Sequence, residues 1–239
     1  MLADSANIIP QLGRLDRDIH LSDTVKLELV GFIAEELPRW RDHPDRPTAT
    51  AETTLTEYLC GYLNSAVQNS SVWDHIQFQP ETADEVVSGR KIDLSVKPRA
   101  AVLIIEGRRH SQFDKLFPIE CKRLPTPKGK NRDEREYVTN YPGTTGGIQR
   151  FKFGYHGSDH NFAVMIGYVQ EQPLSHWLQK INQWIRKLSS ETETLWRYAD
   201  ALEMLSEDTD AGVGRLKSKH NRLNDLDTLE LHHLWIVME

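Results

Sequence analysis

The sequence predicts an α/β protein in which a mixed β-sheet is flanked by helices. Amphipathic helical patterns alternate along the chain with short strand-like segments, which is the order of elements that builds such a layered fold. Residues 161–169 form a nearly continuous apolar run, as expected for a strand that is covered on both faces. With 239 residues, 38% of them hydrophobic, and no internal repeat or clear linker, the chain is expected to form a single domain over residues 1–239.

Helical spacing of apolar residues is clearest in residues 174–188. There Trp177, Ile181, Trp184 and Leu188 recur at intervals of three or four residues, which is typical of a helix that packs on a core. The other predicted helices cover residues 22–37, 50–66, 146–154 and 193–205.

Strand-like segments begin after the second predicted helix. They cover residues 75–79, 91–96, 101–106, 117–121, 161–169 and 231–238. These elements predict three parts: an N-terminal helical extension over residues 1–46, a core over residues 50–169, and C-terminal helices with a final strand over residues 170–239.

Charge is unevenly distributed along the chain. The net charge is −6, yet residues 108–152 contain eleven Lys and Arg against five Asp and Glu. A local excess of positive charge in an acidic protein favours a polyanionic substrate that approaches one face. The alternative interpretation is a solvated, charge-rich loop, and for residues 122–136 alone both interpretations stand.

The remaining composition argues for a cytoplasmic location. Cys60 and Cys121 both lie in apolar patterns, which predicts reduced core residues. No run approaches the roughly 18 apolar residues that a membrane span needs. The N-terminal residues show no signal-peptide pattern.

The strand FPIECKRL carries the first chemical signal. Because strand side chains alternate between two faces, Glu120 and Lys122 project to one side while Ile119 and Cys121 face apolar packing. Two opposite charges on a largely apolar strand are costly unless they pair or hold a metal ion. This strand is therefore the leading candidate for a site. The plain alternative is that Lys122 is a strand-end charge whose head reaches water.

Two more carboxylates can reach the same place. Asp93 projects from its strand on the side opposite Ile92 and Leu94, and Glu52 lies on the inward stripe at the start of the second helix. If the strands of Asp93 and Glu120 are neighbours, their carboxylates converge. Carboxylate and carbonyl oxygens are the ligands that Mg²⁺ prefers.

These residues together resemble the PD-(D/E)XK nuclease superfamily. The likeness covers roughly residues 50–169 and implies a restriction-endonuclease-like core with the element order αβββαβ. It further implies that Asp93 and Glu120 bind Mg²⁺, for which Mn²⁺ substitutes, and that the Cys121 carbonyl and Glu52 contribute to the metal site. Lys122 would assist the attacking water.

The same resemblance assigns the remaining site residues and the function. Gln149 would contact metal-bound water or the phosphate backbone, and Arg123, Arg150 and Lys152 would contact DNA. The implied activity is Mg²⁺-dependent hydrolysis of DNA, as an endonuclease in restriction or phage defence, with a homodimer or a defence complex as possible assemblies. The alternative is a nuclease-fold protein without catalysis that binds nucleic acid or regulates a larger complex.

Several assignments stay open at this level. The residue before Asp93 is Ile92 rather than proline, and the long spacing to Glu120 indicates either an inserted strand or Asp114 as the true partner. Asp93 is preferred because Asp114 lies in a polar loop. Each assignment has a plain alternative. Asp93 would cap a turn, and Gln149 would lie on a helix surface. Glu52 would serve only the start of its helix, with Glu57 as the runner-up for the site. The histidines at 156, 160, 232 and 233 lack metal-type partners in sequence and are interpreted as surface or core residues.

Overall fold

The computed structural model describes residues 18–84, 91–129, 132–140, 143–192, 194–223 and 226–238. Its helices are α1 (Val25–Arg41), α2 (Glu52–Gln68), α3 (Gly147–Lys152) and α4 (Leu174–Ser189). Its strands are β1 (Asp18–His20), β2 (Ile76–Ala83), β3 (Lys91–Pro98), β4 (Val102–Ile105), β5 (Arg108–His110), β6 (Phe117–Leu124), β7 (Phe162–Val169), β8 (Glu203–Asp208), β9 (Val213–His220) and β10 (Leu229–Val237).

The main sheet has seven strands in the order β2-β3-β6-β7-β10-β9-β8. The pairs β2–β3, β3–β6, β10–β9 and β9–β8 are antiparallel, whereas β6–β7 and β7–β10 are parallel. The predicted α/β class with a mixed sheet flanked by helices is therefore confirmed. β7 lies at the centre of the sheet and all eight of its residues are buried, as its apolar run predicts.

Each face of the sheet packs against its own hydrophobic core. Helices α1 and α2 cover one face, where Leu59, Leu94 and Cys121 belong to one cluster of buried side chains. Helices α3 and α4 cover the other face, where Phe151 and Trp184 belong to the second cluster. The alternation along β6 thus directs Cys121 toward α2 and leaves Glu120 and Lys122 on the opposite side.

The segment between β3 and β6 forms a small sheet of its own. The predicted strand at residues 101–106 is present as β4, but it pairs with β1 and β5 in a three-stranded sheet rather than joining the main one. The long spacing between Asp93 and Glu120 is therefore filled by inserted strands, and β3 and β6 remain direct neighbours.

The predicted helix at residues 193–205 is wrong. Its described residues contain a single 3₁₀ turn, Tyr198–Asp200, and then enter β8, which forms a hairpin with β9. Leu205, a member of the predicted helical stripe, is 44% exposed. β8 pairs with β9 across a short turn, and this pairing overrides an apolar spacing that suits either a helix or a strand. The described residues of the C-terminal part thus form one long helix and three strands.

Among the described residues, no helix combines the length and the apolar character that crossing a membrane requires.

Candidate active site

Four oxygens surround the Lys122 ammonium group. Its Nζ lies 2.8 Å from the Cys121 carbonyl oxygen and 2.8 Å from Glu120 Oε1. Glu52 Oε1 lies at 3.2 Å and Asp93 Oδ2 at 3.9 Å from the same nitrogen. The side chains predicted from three separate elements therefore meet, and we call Glu52, Asp93, Glu120, Cys121 and Lys122 the acidic cluster.

The cluster forms where β3 and β6 separate. Their ladder joins Leu94 to Ile119, and one further step of the antiparallel register sets Asp93 opposite Glu120. At that step the Cys121 backbone N–H donates to Asp93 Oδ2 at 2.8 Å, so a carboxylate takes the place of a strand carbonyl. A side chain rather than the backbone bridges the two strands here, and the gap between them is lined by oxygen atoms.

Glu120 is completely buried and surrounded by cations. Its Oε1 contacts Lys122 and, at 2.6 Å, the Arg150 guanidinium. Its Oε2 lies 3.4 Å from His156 Nδ1, and neither of these two atoms has a hydrogen-bond partner in the described structure. Burial alone raises the pKa of Glu120, but Lys122, His156 and Arg150 outweigh burial and hold it well below its usual range. Glu120 is therefore ionised at all physiological pH values.

The pKa of Asp93 is shifted in the opposite direction. Burial, followed by the charge of Glu120, raises its pKa to about 7, although Lys122 and the Cys121 N–H lower it. Its side chain remains 30% exposed and lines a recess of about 460 Å³ together with Glu52 and Glu57. Asp93 is thus the carboxyl through which the acidic cluster meets solvent.

Lys122 remains charged despite its burial. Burial lowers the pKa of an amine, but Glu120, Asp93 and Glu52 together raise the pKa of Lys122 above its ordinary value. A permanently protonated lysine donates hydrogen bonds and does not act as a base.

The carboxylates among which the sequence leaves a choice differ in position. Glu52, the first residue of α2, contacts Lys122 and also accepts the Arg123 backbone N–H at 3.0 Å through Oε2. Glu57 is exposed and lies only at the rim of the recess. Asp114 accepts hydrogen bonds from the N–H and hydroxyl of Ser111 in an exposed turn. Glu52 and Asp93 are therefore the carboxylates that join Glu120.

The donor chemistry of the cluster fits a hard divalent cation. Three carboxylates and the Cys121 carbonyl supply oxygen, while the Cys121 thiol lies on the other side of the sheet, where burial raises its pKa well above its ordinary value. The Oε2 atom of Glu120, buried and without a hydrogen bond, is a further acceptor. Lys122 now lies among these oxygens, and among the described residues no three acidic, His or Cys side chains are arranged as a metal-binding group.

Gln149 is engaged away from the acidic cluster. Its Oε1 accepts from the Asn140 and Gly146 backbone N–H groups at 3.1 and 3.3 Å, and its Nε2 donates to the Gly143 carbonyl at 3.4 Å. Gln149 therefore fixes the loop that leads into α3. It is buried and does not lie on an open helix surface.

The start of α3 approaches the sheet closely, which brings Arg150 to Glu120. A Cβ atom on Gly147 would lie 2.5 Å from the Met165 side chain, and one on Gly146 would lie 2.3 Å from the Thr139 backbone. Glycine at both positions permits this approach. The two glycines thus allow α3 to place Arg150 beside Glu120.

The predicted DNA contacts differ in their surroundings. Arg123 donates to the Gln170 side chain at 2.8 Å and is partly exposed, and Arg150 is 21% exposed beside Glu120. The prediction for Lys152 is wrong, because its side chain is completely buried and pairs with Asp200 at 2.9 Å. A helix this short gave no periodicity from which to distinguish its inner face from its outer one.

His156 is the site residue that sequence reasoning missed. It is only 1% exposed and lies against Glu120, four residues after the end of α3. No motif in the sequence marks it, since its partner is 36 residues away. The one local signal is Gly157, which adopts a left-handed φ of +58° and turns the chain back toward β6.

Changing Asp93 to asparagine is expected to stabilise the protein at high pH when metal is absent. A pKa raised from 3.8 to about 7 means that the folded state binds this proton more tightly than the unfolded state, so stability falls as pH rises from about 4 to 7 and stays reduced above 7. In EDTA, Asp93→Asn should exceed wild type by on the order of 2 kcal/mol at pH 8 and by much less at pH 5.

Urea unfolding at the two pH values measures this difference. Glu57→Gln, a change at the exposed rim of the same recess, is the matched control and should show no such pH dependence. Equal stability of Asp93→Asn and wild type at pH 8 would contradict the raised pKa of Asp93.

Comparisons of this chain with family models, with curated proteins and with solved structures found no match.

Proposed function

We propose that this chain is a Mg²⁺-dependent nuclease that hydrolyses DNA phosphodiester bonds, as an endonuclease. The observation that carries the proposal is the acidic cluster, in which three carboxylates and a backbone carbonyl converge on one permanently charged lysine. Ionised groups are rarely gathered in a half-buried recess for stability alone, because desolvation offsets most of their attraction.

The order of elements supports the same proposal. Helix α2, strands β2, β3 and β6, helix α3 and strand β7 follow one another in the αβββαβ order of the restriction-endonuclease-like core. Within this unit β2, β3 and β6 are antiparallel, and β7 is parallel to β6 after the α3 connection. The β4–β5 insertion accounts for the one spacing that departs from the superfamily pattern.

Each residue of the cluster has a distinct role in this proposal. Asp93, Glu120, Glu52 and the Cys121 carbonyl would hold Mg²⁺. A bound Mg²⁺ lowers the pKa of a water molecule and neutralises charge on a phosphate oxygen. Lys122, which stays protonated, donates hydrogen bonds to the attacking water or to the phosphate. Arg150 balances the buried charge of Glu120, and Arg123 lies beside Glu52 as a phosphate contact.

Nicking of supercoiled plasmid DNA tests the proposal. Wild-type protein should nick DNA in Mg²⁺ or Mn²⁺ and not in EDTA, and Asp93→Ala should lose this activity. Glu57→Gln, at the rim of the same recess, should keep it. Equal nicking by wild type and Asp93→Ala, or nicking that persists in EDTA, would contradict the proposal.

A nuclease-fold protein without catalysis is the second candidate. The observation that favours it is the position of the Lys122 ammonium among the oxygens, where a divalent ion would otherwise bind. Thermal unfolding in increasing Mg²⁺ or Mn²⁺ separates the two candidates. A protein that binds the ion in its native state gains stability with ion concentration, whereas an inactive one does not.

By analogy with the superfamily, restriction or phage defence is the biological setting of this proposal, either as a homodimer or as a subunit of a larger complex.

A further inference from the structure

A second polar recess, separate from the acidic cluster, lies beside the inserted sheet. It has a volume of about 360 Å³ and is lined by residues of β4 and β5, of the start of α1 and of the loops around residues 115, 159 and 226. Four of them are cationic: Lys26, Arg108, Lys115 and Arg222. Glu106, Asp159 and Asp227 also line it, so the excess charge is positive and small. We call this cavity the basic recess.

His110 gives the basic recess an open binding position. It is 6% exposed, it lines the recess, and its Nδ1 atom has no hydrogen-bond partner in the described structure. Burial lowers the pKa of His110, and the charges of Arg108 and Lys26 lower it further, which indicates a positive potential at this point. In the tautomer that carries its proton on Nδ1, this buried nitrogen is a free donor beside several cations, which suits a bound anion.

An exposed aromatic side chain lies on the segment between His110 and Lys115, two residues that line the recess. Phe113 is 79% exposed and lies two residues before Lys115. Its turn is held by hydrogen bonds, because Asp114 accepts from the Ser111 N–H and hydroxyl and the Asp114 N–H donates to the Ser111 carbonyl. A fixed turn that presents a phenyl ring to solvent offers a face on which a nucleobase stacks at little entropic cost.

A single turn joins the acidic cluster to the basic recess. His156 contacts Glu120 at one end of this turn, while Ser158 and His160 line the basic recess at the other. Gly157 between them is held on two sides, since its N–H donates to Asp84 and its carbonyl accepts from Arg222. Leu116, the residue before β6, lines the recess, and four residues of extended chain separate it from Glu120 in the cluster by about 13 Å at the usual strand rise. A nucleic-acid strand of a few nucleotides spans that distance.

We propose that the basic recess and Phe113 form a binding subsite for single-stranded DNA, with a backbone phosphate in the recess and an unpaired base stacked on the Phe113 ring. This inference rests on the proposed function for its substrate class. It adds that the inserted sheet selects DNA with unpaired bases near the cleavage point.

Fluorescence anisotropy with a labelled single-stranded oligonucleotide in EDTA tests the subsite without any cleavage. Phe113→Ala should weaken binding by about tenfold, the usual effect of losing one base–aromatic stack. Arg108→Gln should weaken binding and reduce the slope of log affinity against log salt by about 0.7. Tyr198→Ala removes an aromatic ring that is 67% exposed outside the recess and serves as the matched control, with Lys187→Gln as the charge control.

The outcomes separate this inference from the catalytic proposal. Unchanged affinity in both Phe113→Ala and Arg108→Gln overturns the subsite, even if wild-type protein cleaves DNA. Weakened binding in both supports it, even if no cleavage is found and the catalytic proposal falls. Titration with inorganic phosphate, followed by the NMR signal of His110, tests for a small-anion site. A shift of this signal, together with a DNA affinity that does not depend on Phe113, overturns the DNA assignment in favour of such a site.

Discussion

Replacing Lys122 with methionine is expected to reduce DNA cleavage by about 10²- to 10³-fold while leaving the divalent ion bound at least as tightly as in wild type. The loss follows because removal of one preorganised charged donor costs about that factor in rate. The ion should not be lost, because the Lys122 ammonium lies within 4 Å of one oxygen of each carboxylate of the acidic cluster and of the Cys121 carbonyl, and it repels a second cation there. Methionine has a similar length and fills the same buried space without the charge.

Two measurements on the same protein distinguish this role from a structural one. Single-turnover cleavage reports the chemical step, and calorimetric titration of metal-free protein with Mn²⁺ reports the affinity for the ion. Glu120 keeps its contact with Arg150 in the variant, so the fold should persist and a melting curve checks this. Lys187→Met, on the exposed face of α4, is the matched control. Cleavage near the wild-type rate in Lys122→Met would show that the lysine serves only to neutralise Glu120.

The side-chain directions at the site could be predicted because they depend on local alternation. A period of two along FPIECKRL placed Glu120 and Lys122 together, and the same period along KIDLSV turned Asp93 away from its apolar neighbours. The helical stripe of α2 likewise placed Glu52 at the inward end of its helix. Each of these statements needs only residues that are adjacent in the chain, and each agrees with the structure.

The pairing between distant elements could not be predicted in the same way. The β8–β9 hairpin is a local pairing, and it was missed because the apolar spacing of its first strand suits a helix as well. That β3 neighbours β6 across an inserted sheet depends on contacts whose loop-closure cost and gain cannot be read from any local pattern. His156 was missed for this reason, since its place against Glu120 is set by the turn at Gly157 and by the packing of α3.

Lys152 shows the same limit for a single side chain. Its position in a basic segment, two residues after Arg150, suggested a surface cation. Two residues along a helix is about half a turn, so the two side chains point in nearly opposite directions. Arg150 faces the acidic cluster, and Lys152 enters the interior beside Asp200.

Replacing Lys152 with methionine is expected to lower the free energy of unfolding by about 3 to 5 kcal/mol, the usual cost of removing one partner from a buried ion pair. Lys152 Nζ contacts Asp200 at 2.9 Å and donates to the Asn221 carbonyl at 3.0 Å. Asp200 is only 1% exposed and would keep His220 at 3.2 Å, a neighbour that is charged only when protonated. Although burial raises the pKa of Asp200, His220 and Lys152 together hold it below its usual value, so removal of the lysine leaves a poorly compensated charge.

A double substitution separates charge loss from the loss of packing. Asp200→Asn keeps an oxygen for the Arg197 N–H and removes the charge, so the pair Lys152→Met with Asp200→Asn should recover a large part of the stability that Lys152→Met loses. Urea unfolding of wild type, the two single variants and the double variant gives the four free energies of unfolding that this double-mutant cycle needs. Lys187→Met should stay within about 0.5 kcal/mol of wild type, as expected for an exposed lysine. A loss below about 1 kcal/mol in Lys152→Met would mean that Asp200 is adequately neutralised by His220 alone, and that Lys152 does not stabilise the interior through its charge.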